Sequence, residues 1–308
     1  MDRRFLDFED TEDPEGGAYK SYLARLDFGD GGYDWPKLLQ SRYVVVLGEP
    51  GTGKTIELRE RANILQQQKH YAFFIRLDQL VSGPLDDALE AGDVSPFQRW
   101  HRSRDEATFF LDSVDEAKLI KPEAFSDALN HFARDLGRDG LKRARLVISC
   151  RVSDWRGKAD RYELRRVFSI PDENPRSDET DSGDQPPALR IVALAPLDEE
   201  RIGKYAAHLG ISEPQAFLHA IDESHAWDLT GRPADVGGLI KYWIKNGRLG
   251  TWKELCENDV IEKLAESEPR QSRDPLTPER ARLGAETSRQ PSYLHAASIC
   301  WFLIRATI

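Results

Sequence analysis

A short glycine-rich stretch that ends in a lysine and a hydroxyl residue carries the most specific chemistry in this sequence. It reads Gly48-Glu49-Pro50-Gly51-Thr52-Gly53-Lys54-Thr55, which is the spacing of a phosphate-binding loop. The glycines permit backbone conformations that a Cβ atom would hinder, so successive N–H groups can point at one phosphate. The Lys54 ammonium would then reach the β- and γ-phosphates, and the Thr55 hydroxyl would bind Mg²⁺. A glycine-rich turn without a ligand is the alternative interpretation.

Three carboxylates further along the chain could complete a magnesium and water site. Residues 108–111 predict a buried strand, and Asp112 stands at its carboxyl end, where ligands bind in open parallel sheets. We expect Asp112 to hold Mg²⁺ through water, from a strand that neighbours the phosphate-loop strand. A carboxylate at Asp115 or Glu116 could orient or deprotonate the attacking water. Alternatively, these two acids form the first turn of a helix.

An arginine follows the next predicted strand, which covers residues 145–149. If that strand lies beside the strand leading into the glycine-rich loop, the Arg151 guanidinium could reach the γ-phosphate and neutralise charge in the transition state. The alternative is a surface arginine that pairs with nearby Asp154. Weaker candidates for the same role are Arg161, Arg165 and Arg166.

The elements that must position these residues alternate along the chain. Apolar runs predict strands at 43–47, 71–77, 108–111, 145–149 and 189–194. Helices are predicted directly after the glycine-rich loop and at 123–136, where apolar residues recur at helical spacing. This alternation indicates an α/β fold, a P-loop NTPase parallel sheet with helices on both faces, followed by a small all-helical domain. In that domain Asp198 precedes one helix, and residues 212–215 and 251–254 predict capping boxes.

The predicted domain boundaries follow these patterns. Residues 1–40 form an acidic lead-in, 41–196 the NTPase domain, and 197–287 the helical domain. An acidic, Ser/Pro-rich stretch at 171–188 predicts a disordered surface loop inside the NTPase domain. The tail at 288–308 is atypical, and two interpretations of it remain open: a terminal helix docked on the core, or a truncated or frameshifted product.

Composition excludes several classes of protein. The 308 residues carry a net charge of −10, which argues against a general nucleic-acid-binding surface. The three cysteines lie far apart without metal-ligand spacing, so we expect them to be reduced. The first residues lead into acidic sequence instead of an apolar signal segment, and no run of 18 apolar residues exists. We therefore expect a cytoplasmic protein without a membrane span.

The motifs resemble those of NACHT-type STAND NTPases. Residues 109–116 resemble the extended Walker B motif of that family, with an apolar run, Asp112, a small residue and the Asp115-Glu116 pair. The family's phosphate loop matches residues 48–55, and its sensor arginine matches Arg151. Its helical-domain proline, which packs near the adenine, matches Pro233 within Leu229-Thr230-Gly231-Arg232-Pro233. The resemblance covers about residues 40 to 250 and is greatest to bacterial members, many of which are antiphage sensors.

The resemblance implies a nucleotide-dependent switch. ADP would be held between the sheet and the helical domain, ATP would replace it on activation, and the NTPase domain would self-associate. Hydrolysis would be slow. ATP is favoured over GTP only by the resemblance and by the lack of an N-K-x-D motif. From the sequence we expect a departure from the family, without a sizeable N-terminal effector domain or a C-terminal repeat array.

Two other functions remain open at this point. The first is a non-catalytic scaffold that binds ATP or ADP without turnover. The second, less favoured, is a P-loop kinase acting on a small molecule. Such a kinase needs an arginine-rich lid, and the helical segment supplies only Arg201, Arg232 and Arg248.

Overall fold

Strands and helices alternate through the first two thirds of the chain in the computed structural model, which describes residues 3–8, 32–81, 83–90, 92–112, 124–171 and 186–265. The chain divides into two compact units, one covering Asp2–Ala195 and the other beginning at Pro196. Most of the lead-in, most of the acidic stretch at 171–188, and the tail at 288–308 lie outside the described residues. Their predicted roles stay predictions.

The first unit contains one six-stranded sheet among its described residues. Five strands are parallel, and the first pairs antiparallel with the last at the edge of the sheet. The order across the sheet is β1-β6-β2-β5-β4-β3. The strands are β1 Phe5–Asp7, β2 Tyr43–Leu47, β3 Tyr71–Arg76, β4 Ala107–Asp112, β5 Ala144–Cys150 and β6 Leu189–Leu194.

Helices cover both faces of this sheet, as the alternating pattern predicts. One face buries Phe97, Trp100 and Phe132 against Phe109, and Phe168 packs on Phe132. The opposite face buries Trp35, Leu38, Leu58 and Ala62. The helices of this unit are α1 Trp35–Leu38, α2 Lys54–Gln67, α3 Leu77–Leu80, α4 Leu85–Ala88, α5 Val94–Arg102, α6 Ala124–Arg143 and α7 Gly157–Phe168.

The second unit is helical throughout its described residues. It buries its own apolar cluster, which includes Ile202, Phe217, Ile221, Val236 and Ile240. Its helices are α8 Glu199–His208, α9 Pro214–Glu223, a 3₁₀ turn at Trp227–Leu229, α10 Pro233–Asn246 and α11 Trp252–Ala265. None of the helices in the described part of the chain is both long enough and apolar enough to cross a membrane.

Helix caps in this unit agree with the sequence in two cases and differ in one. The Asp198 carboxylate accepts a hydrogen bond from the Arg201 N–H at 2.9 Å. Thr251 and Glu254 form the predicted capping box, in which the Glu254 carboxylate accepts from the Thr251 N–H at 2.7 Å. The capping box predicted at 212–215 is wrong, because α9 begins after Glu213, whose side chain makes no capping hydrogen bond. Pro214 at the first helical position starts that helix instead.

The fold adds one strand and corrects two further expectations. The edge strand β1 was not predicted, because three residues are too few for an alternation pattern to show. The strand that ends at Asp112 is not next to β2, because β5 lies between them. The expectation of three reduced cysteines is wrong at Cys256, which is disulfide-bonded, whereas Cys150 is a buried free thiol.

A tryptophan before the first parallel strand ties the start of the unit to helix α2. The Trp35 indole N–H donates to the Glu57 carboxylate at 2.6 Å, and the Arg61 guanidinium lies 5.0 Å from the centre of the indole ring. Burial raises the pKa of Glu57, although the indole hydrogen bond and the charges of Arg3 and Arg61 act in the opposite direction. The folded protein therefore holds a proton on Glu57 at pH values where the unfolded chain releases it.

This linkage predicts a pH-dependent stability difference for Glu57→Gln. Because the folded-state pKa of Glu57 is raised, its contribution is fully present below the ordinary pKa of 4.5 and is lost as the pH rises through the folded-state pKa. Urea unfolding between about pH 5 and pH 8 should show the variant gaining stability relative to the native chain as pH rises. Glu60→Gln, at an exposed position of the same helix, is the control. A difference between native chain and Glu57→Gln that does not change with pH would contradict this account.

Candidate functional site

The glycine-rich loop joins the end of β2 to the start of α2, as a phosphate loop requires. Gly51 and Gly53 have φ values of 82° and 89°, the left-handed region that glycine adopts without strain. At Gly48 an added Cβ atom would lie 2.8 Å from the Thr52 hydroxyl, so the Thr52 side chain would have to shift to admit one. The Thr52 hydroxyl itself donates to the Glu49 carbonyl at 2.8 Å and closes the turn. The loop therefore has the tight backbone path expected from its sequence.

The Lys54 ammonium and the N-terminus of α2 both lie at the end of the loop. The Lys54 ammonium donates to the Gly48 carbonyl and, at 3.3 Å, to the Glu49 carbonyl. Gly53 is the N-cap of α2 and offers no side chain to the first N–H groups of that helix. Unsatisfied N–H groups and the helix dipole both favour an anion at such a terminus.

A buried carboxylate connects the loop to the centre of the sheet. Asp112 is 1% exposed, and its Oδ2 accepts from the Thr55 hydroxyl at 2.8 Å. Its Oδ1 accepts from the hydroxyl of Ser149, which is fully buried on β5. The three residues come from α2, β4 and β5, so the contact spans the strand that separates the loop from Asp112. The sequence reasoning missed Ser149, although a hydroxyl near the end of an otherwise apolar strand was a usable signal.

These donors suit Mg²⁺. The Thr55 hydroxyl and the Asp112 carboxylate are hard oxygen ligands on facing elements. Among the described residues, no group of three or more His, Cys, Asp or Glu side chains forms a cage for a metal ion. Mg²⁺ usually keeps several waters and takes further oxygens from substrate phosphates. One hydroxyl and one carboxylate from the protein are therefore enough for its coordination.

The predicted sensor arginine lies on a segment that contacts the phosphate loop. β5 pairs with β2 so that Cys150 is level with Leu47, and the Gly48 N–H donates to the Cys150 carbonyl at 3.1 Å. Arg151 follows directly, and its guanidinium is 4.0 Å from the Asp154 carboxylate. The expectation that this strand lies beside the phosphate-loop strand is confirmed. The contact of Arg151 with the γ-phosphate stays a prediction.

Glu49 connects the two loops. Its carboxylate accepts from the Ser153 N–H at 3.2 Å, across more than a hundred residues of sequence. The segment after β5 is also closed on itself, since the Trp155 N–H donates to the Arg151 carbonyl at 3.1 Å. A displacement of the phosphate loop at Glu49 would therefore also displace the segment that contains Ser153 and Arg151.

The remaining predicted site residues are placed less directly. Asp115 and Glu116 lie outside the described residues, so their catalytic role stays a prediction. Pro233 is the first residue of α10 in the helical unit, where proline is well accommodated; its contact with adenine also stays a prediction. Of the weaker arginine candidates on α7, Arg166 pairs with Glu163 at 2.8 Å and lowers the pKa of that carboxyl.

Comparisons with known proteins add a set of similar structures. The sequence matches no protein-family model and no curated protein. Similar solved structures include AMPPCP-bound DnaA from Aquifex aeolicus, with 18% identity over 84% of this chain and 71% of that chain at a TM-score of 0.42. The Walker-type ATPase PABY2304 of Pyrococcus abyssi has 14% identity over 96% of this chain and 91% of that chain, at a TM-score of 0.40. The FIGL-1 AAA domain has 16% identity over 84% of this chain and 76% of that chain, also at a TM-score of 0.40.

The fold class rests on this chain's own geometry. The glycine-rich loop lies between β2 and α2, β5 is inserted between the loop strand and the Asp112 strand, and Thr55 meets Asp112 across that insertion. Together these features define a P-loop NTPase fold, an α/β sheet with helices on both faces.

The Glu49 contact predicts a local change in hydrogen exchange. In Glu49→Ala the Ser153 N–H loses a charged acceptor worth about 1.5 kcal/mol, so its amide should exchange about tenfold faster. Glu60→Ala, an exposed glutamate on α2, is the matched control. Equal exchange at Ser153 in the native chain and in Glu49→Ala would show that the two loops are not linked through this carboxylate.

Proposed function

We propose that this chain is an ATP-binding and slowly hydrolysing molecular switch of the STAND/NACHT type. It would act in signalling or antiviral defence through nucleotide-dependent oligomerisation. The observation that carries the proposal is the 2.8 Å contact between the Thr55 hydroxyl and the buried Asp112 carboxylate. That contact joins a phosphate loop to an acid at the carboxyl end of a parallel strand, which is where P-loop enzymes handle phosphate and metal.

The loop would bind the phosphates of ATP or ADP. The N–H groups between Gly48 and Thr55, together with the start of α2, suit a polyphosphate chain because they combine hydrogen-bond donors with a favourable dipole. Lys54 would exchange its two carbonyl partners for phosphate oxygens, which are stronger acceptors because they carry charge. Glu49, Pro50, Gly51, Thr52 and Gly53 would shape this cradle.

Thr55 and Asp112 would hold Mg²⁺. When bound, the ion supplies positive charge that neutralises phosphate oxygens and orients them. Ser149 would keep the Asp112 carboxylate turned toward Thr55, because one carboxylate oxygen accepts from each hydroxyl. This assigns Ser149 a positioning role at the metal.

Hydrolysis would depend on residues that surround the phosphate end. A carboxylate at Glu116 or Asp115 would accept a proton from the attacking water. Arg151 would leave Asp154 and contact the γ-phosphate, where a guanidinium stabilises charge that develops in the transition state. Because Arg151 would make this contact with ATP and not with ADP, the two nucleotides would favour different positions of the segment that carries it.

The helical unit would complete the switch. By the resemblance, Pro233 would pack near the adenine, and the NTPase domain would self-associate when ATP replaces ADP. The nucleotide preference for ATP and the defence role rest on the resemblance of residues 48–55 and 109–116 to bacterial NACHT proteins.

Lys54→Ala tests whether the loop binds nucleotide. Removing the ammonium eliminates charge-assisted hydrogen bonds to phosphate worth about 1.5–3 kcal/mol each, so the affinity for ATP and ADP should fall about 100-fold or more. Isothermal titration calorimetry measures this, with Lys245→Ala at an exposed position of α10 as the control. If Lys54→Ala binds nucleotide as the native chain does, the loop is not the nucleotide site.

Glu116→Gln separates the enzyme from a non-catalytic scaffold. The variant should bind ATP with native affinity, while phosphate release falls by about 10²–10⁴-fold because the general base is lost. A colorimetric phosphate assay measures the release, with Asp112→Ala as the blank and Asp115→Asn as a test of the neighbouring acid. Turnover in the native chain that does not exceed the blank would favour the scaffold. Unchanged turnover in Glu116→Gln would remove Glu116 from the mechanism.

A further inference from the structure

A group of exposed cations lies at the amino ends of the parallel strands, on the side of the sheet opposite the phosphate loop. Tyr71 pairs with Ala107, and Ala107 pairs with Ala144, so the residues directly before these positions come together at one edge. Helices α5 and α6 also end there. We call this surface the basic edge, and its exposed members are Lys69, His70, Arg99, His101, Arg102, Arg104, Arg138 and Lys142.

The ends of α5 and α6 contact each other, so the cations of both helix ends lie at the same edge of the sheet. A Cβ atom at Gly140 would lie 3.5 Å from Cη2 of the buried Trp100 ring, which places the two helices in close contact. The Arg143 guanidinium lies 4.7 Å from the centre of the same ring and donates to the Asp105 carbonyl at 2.7 Å. Arg102 follows Trp100 by two residues, and Arg138 precedes Gly140 by two. This spacing turns both arginines away from the buried contact, and both are exposed.

A kink at Gly137 changes the direction of the last part of α6. Gly137 has φ 67° and ψ 170°, which interrupts the helix and starts a new direction at Arg138. A left-handed φ is accessible to glycine without strain. Arg138 and Lys142 are four residues apart in the segment after the kink, so they share one side of it.

Structural roles account for only part of this charge. Arg42, Arg143 and Arg145 donate to backbone carbonyls that join neighbouring strands and helices. By contrast, Arg99, Arg102, Arg104 and Arg138 form no ion pair with any other residue that the structure describes. The helix dipole favours cations in a last turn, but only by about 0.3–1 kcal/mol each.

The charge balance at this edge differs from that of the whole chain, in which carboxylates are in excess. The protein has 53 Asp and Glu residues against 43 Lys and Arg. In the described part of the chain, the exposed acids beside these cations in sequence are Asp105, Glu106 and Asp139. Glu106 pairs with Arg145 at 3.1 Å, and Asp139 is 3.5 Å from Lys142. Asp93 is nearby but buried, and it accepts from Gln66 at 2.9 Å. Among the described residues, cations outnumber acids at this edge, in a chain with the opposite overall balance.

The chemistry of the basic edge fits phosphodiester better than protein. Tight protein interfaces are centred on buried aromatic or aliphatic anchors. In the described residues the exposed large apolar side chains are Ile56, Tyr162, Leu209 and Ile244, which are not part of this edge. Arginine guanidinium groups match phosphate oxygens in a bidentate geometry, and phosphate contacts need no anchor.

We propose that the basic edge binds the phosphate backbone of a nucleic acid, without reading its bases. Net negative charge over the whole chain would limit such binding to this surface. The site is separate from the phosphate loop, because strands of five to seven residues at about 3.3 Å per residue place the two edges roughly 20 Å apart. Nucleic acid and nucleotide would therefore bind without competing for the same groups.

Two matched double variants test this proposal. Arg102→Gln/Arg138→Gln removes two charges from the basic edge, and Lys245→Gln/Lys253→Gln removes two charges from exposed positions of the helical unit. Fluorescence anisotropy with short labelled DNA and RNA, single-stranded and duplex, gives the affinity at several salt concentrations. Thermal unfolding of each variant confirms that it is folded.

The native chain and the helical-unit variant should bind with the same affinity and the same salt dependence. The basic-edge variant should bind at least about tenfold more weakly, and the slope of log K against log salt should fall by about two, one for each lost phosphate contact. A bound nucleotide in the phosphate loop should leave the affinity unchanged.

Three results would overturn the proposal. One is no binding of any of the four probes by the native chain. Another is an equal loss of affinity in both double variants, which would indicate a non-specific charge effect. The third is equal or tighter binding of a poly-glutamate peptide, which would indicate an acidic protein segment as the ligand. Because the assay needs neither ATP binding nor turnover, its failure is distinguishable from failure of the proposed switch.

Discussion

The hydrogen bond from the Thr55 hydroxyl to the buried Asp112 carboxylate is the interaction on which the rest of the site depends. It forms only if the glycine loop delivers the first turn of α2 to the carboxyl end of β4, past the intervening strand β5. A carboxylate that is 1% exposed is costly unless its oxygens are satisfied. Thr55 and Ser149 each supply one donor to it, so the same two hydrogen bonds stabilise the carboxylate and aim it at the loop.

Backbone geometry and side-chain contacts share the work of holding the loop. The left-handed conformations at Gly51 and Gly53 bring the N–H groups together, and the Thr52 hydroxyl lies close to Gly48, where a Cβ atom would displace it. The hydrogen bond from the Ser153 N–H to the Glu49 carboxylate then links the loop to the segment that carries Arg151. One end of the sheet thus concentrates the groups suited to phosphate, while the opposite end concentrates exposed arginines.

The sequence was most informative where chemistry and periodicity coincide. The loop at 48–55, the strands on either side of it and the acid at Asp112 follow from local pattern, since glycine, lysine and threonine at this spacing have few other uses. Ser149 and the Glu49–Ser153 contact depend on strand order, which brings distant segments together and leaves little trace in either segment alone. The same holds for the insertion of β5 between β2 and β4. Strand β1 is too short for its three residues to stand out.

The affinity of the native chain for ATP with and without Mg²⁺, compared with that of Thr55→Val, tests the central claim most directly. Valine keeps the shape of threonine but lacks the hydroxyl that meets Asp112. Calorimetric titration should show that Mg²⁺ strengthens ATP binding to the native chain and has little effect on the variant. An equal gain from Mg²⁺ in both proteins, or no binding of ATP to the native chain, would contradict the assignment of Thr55 and Asp112 as the metal-binding pair of a P-loop nucleotide site.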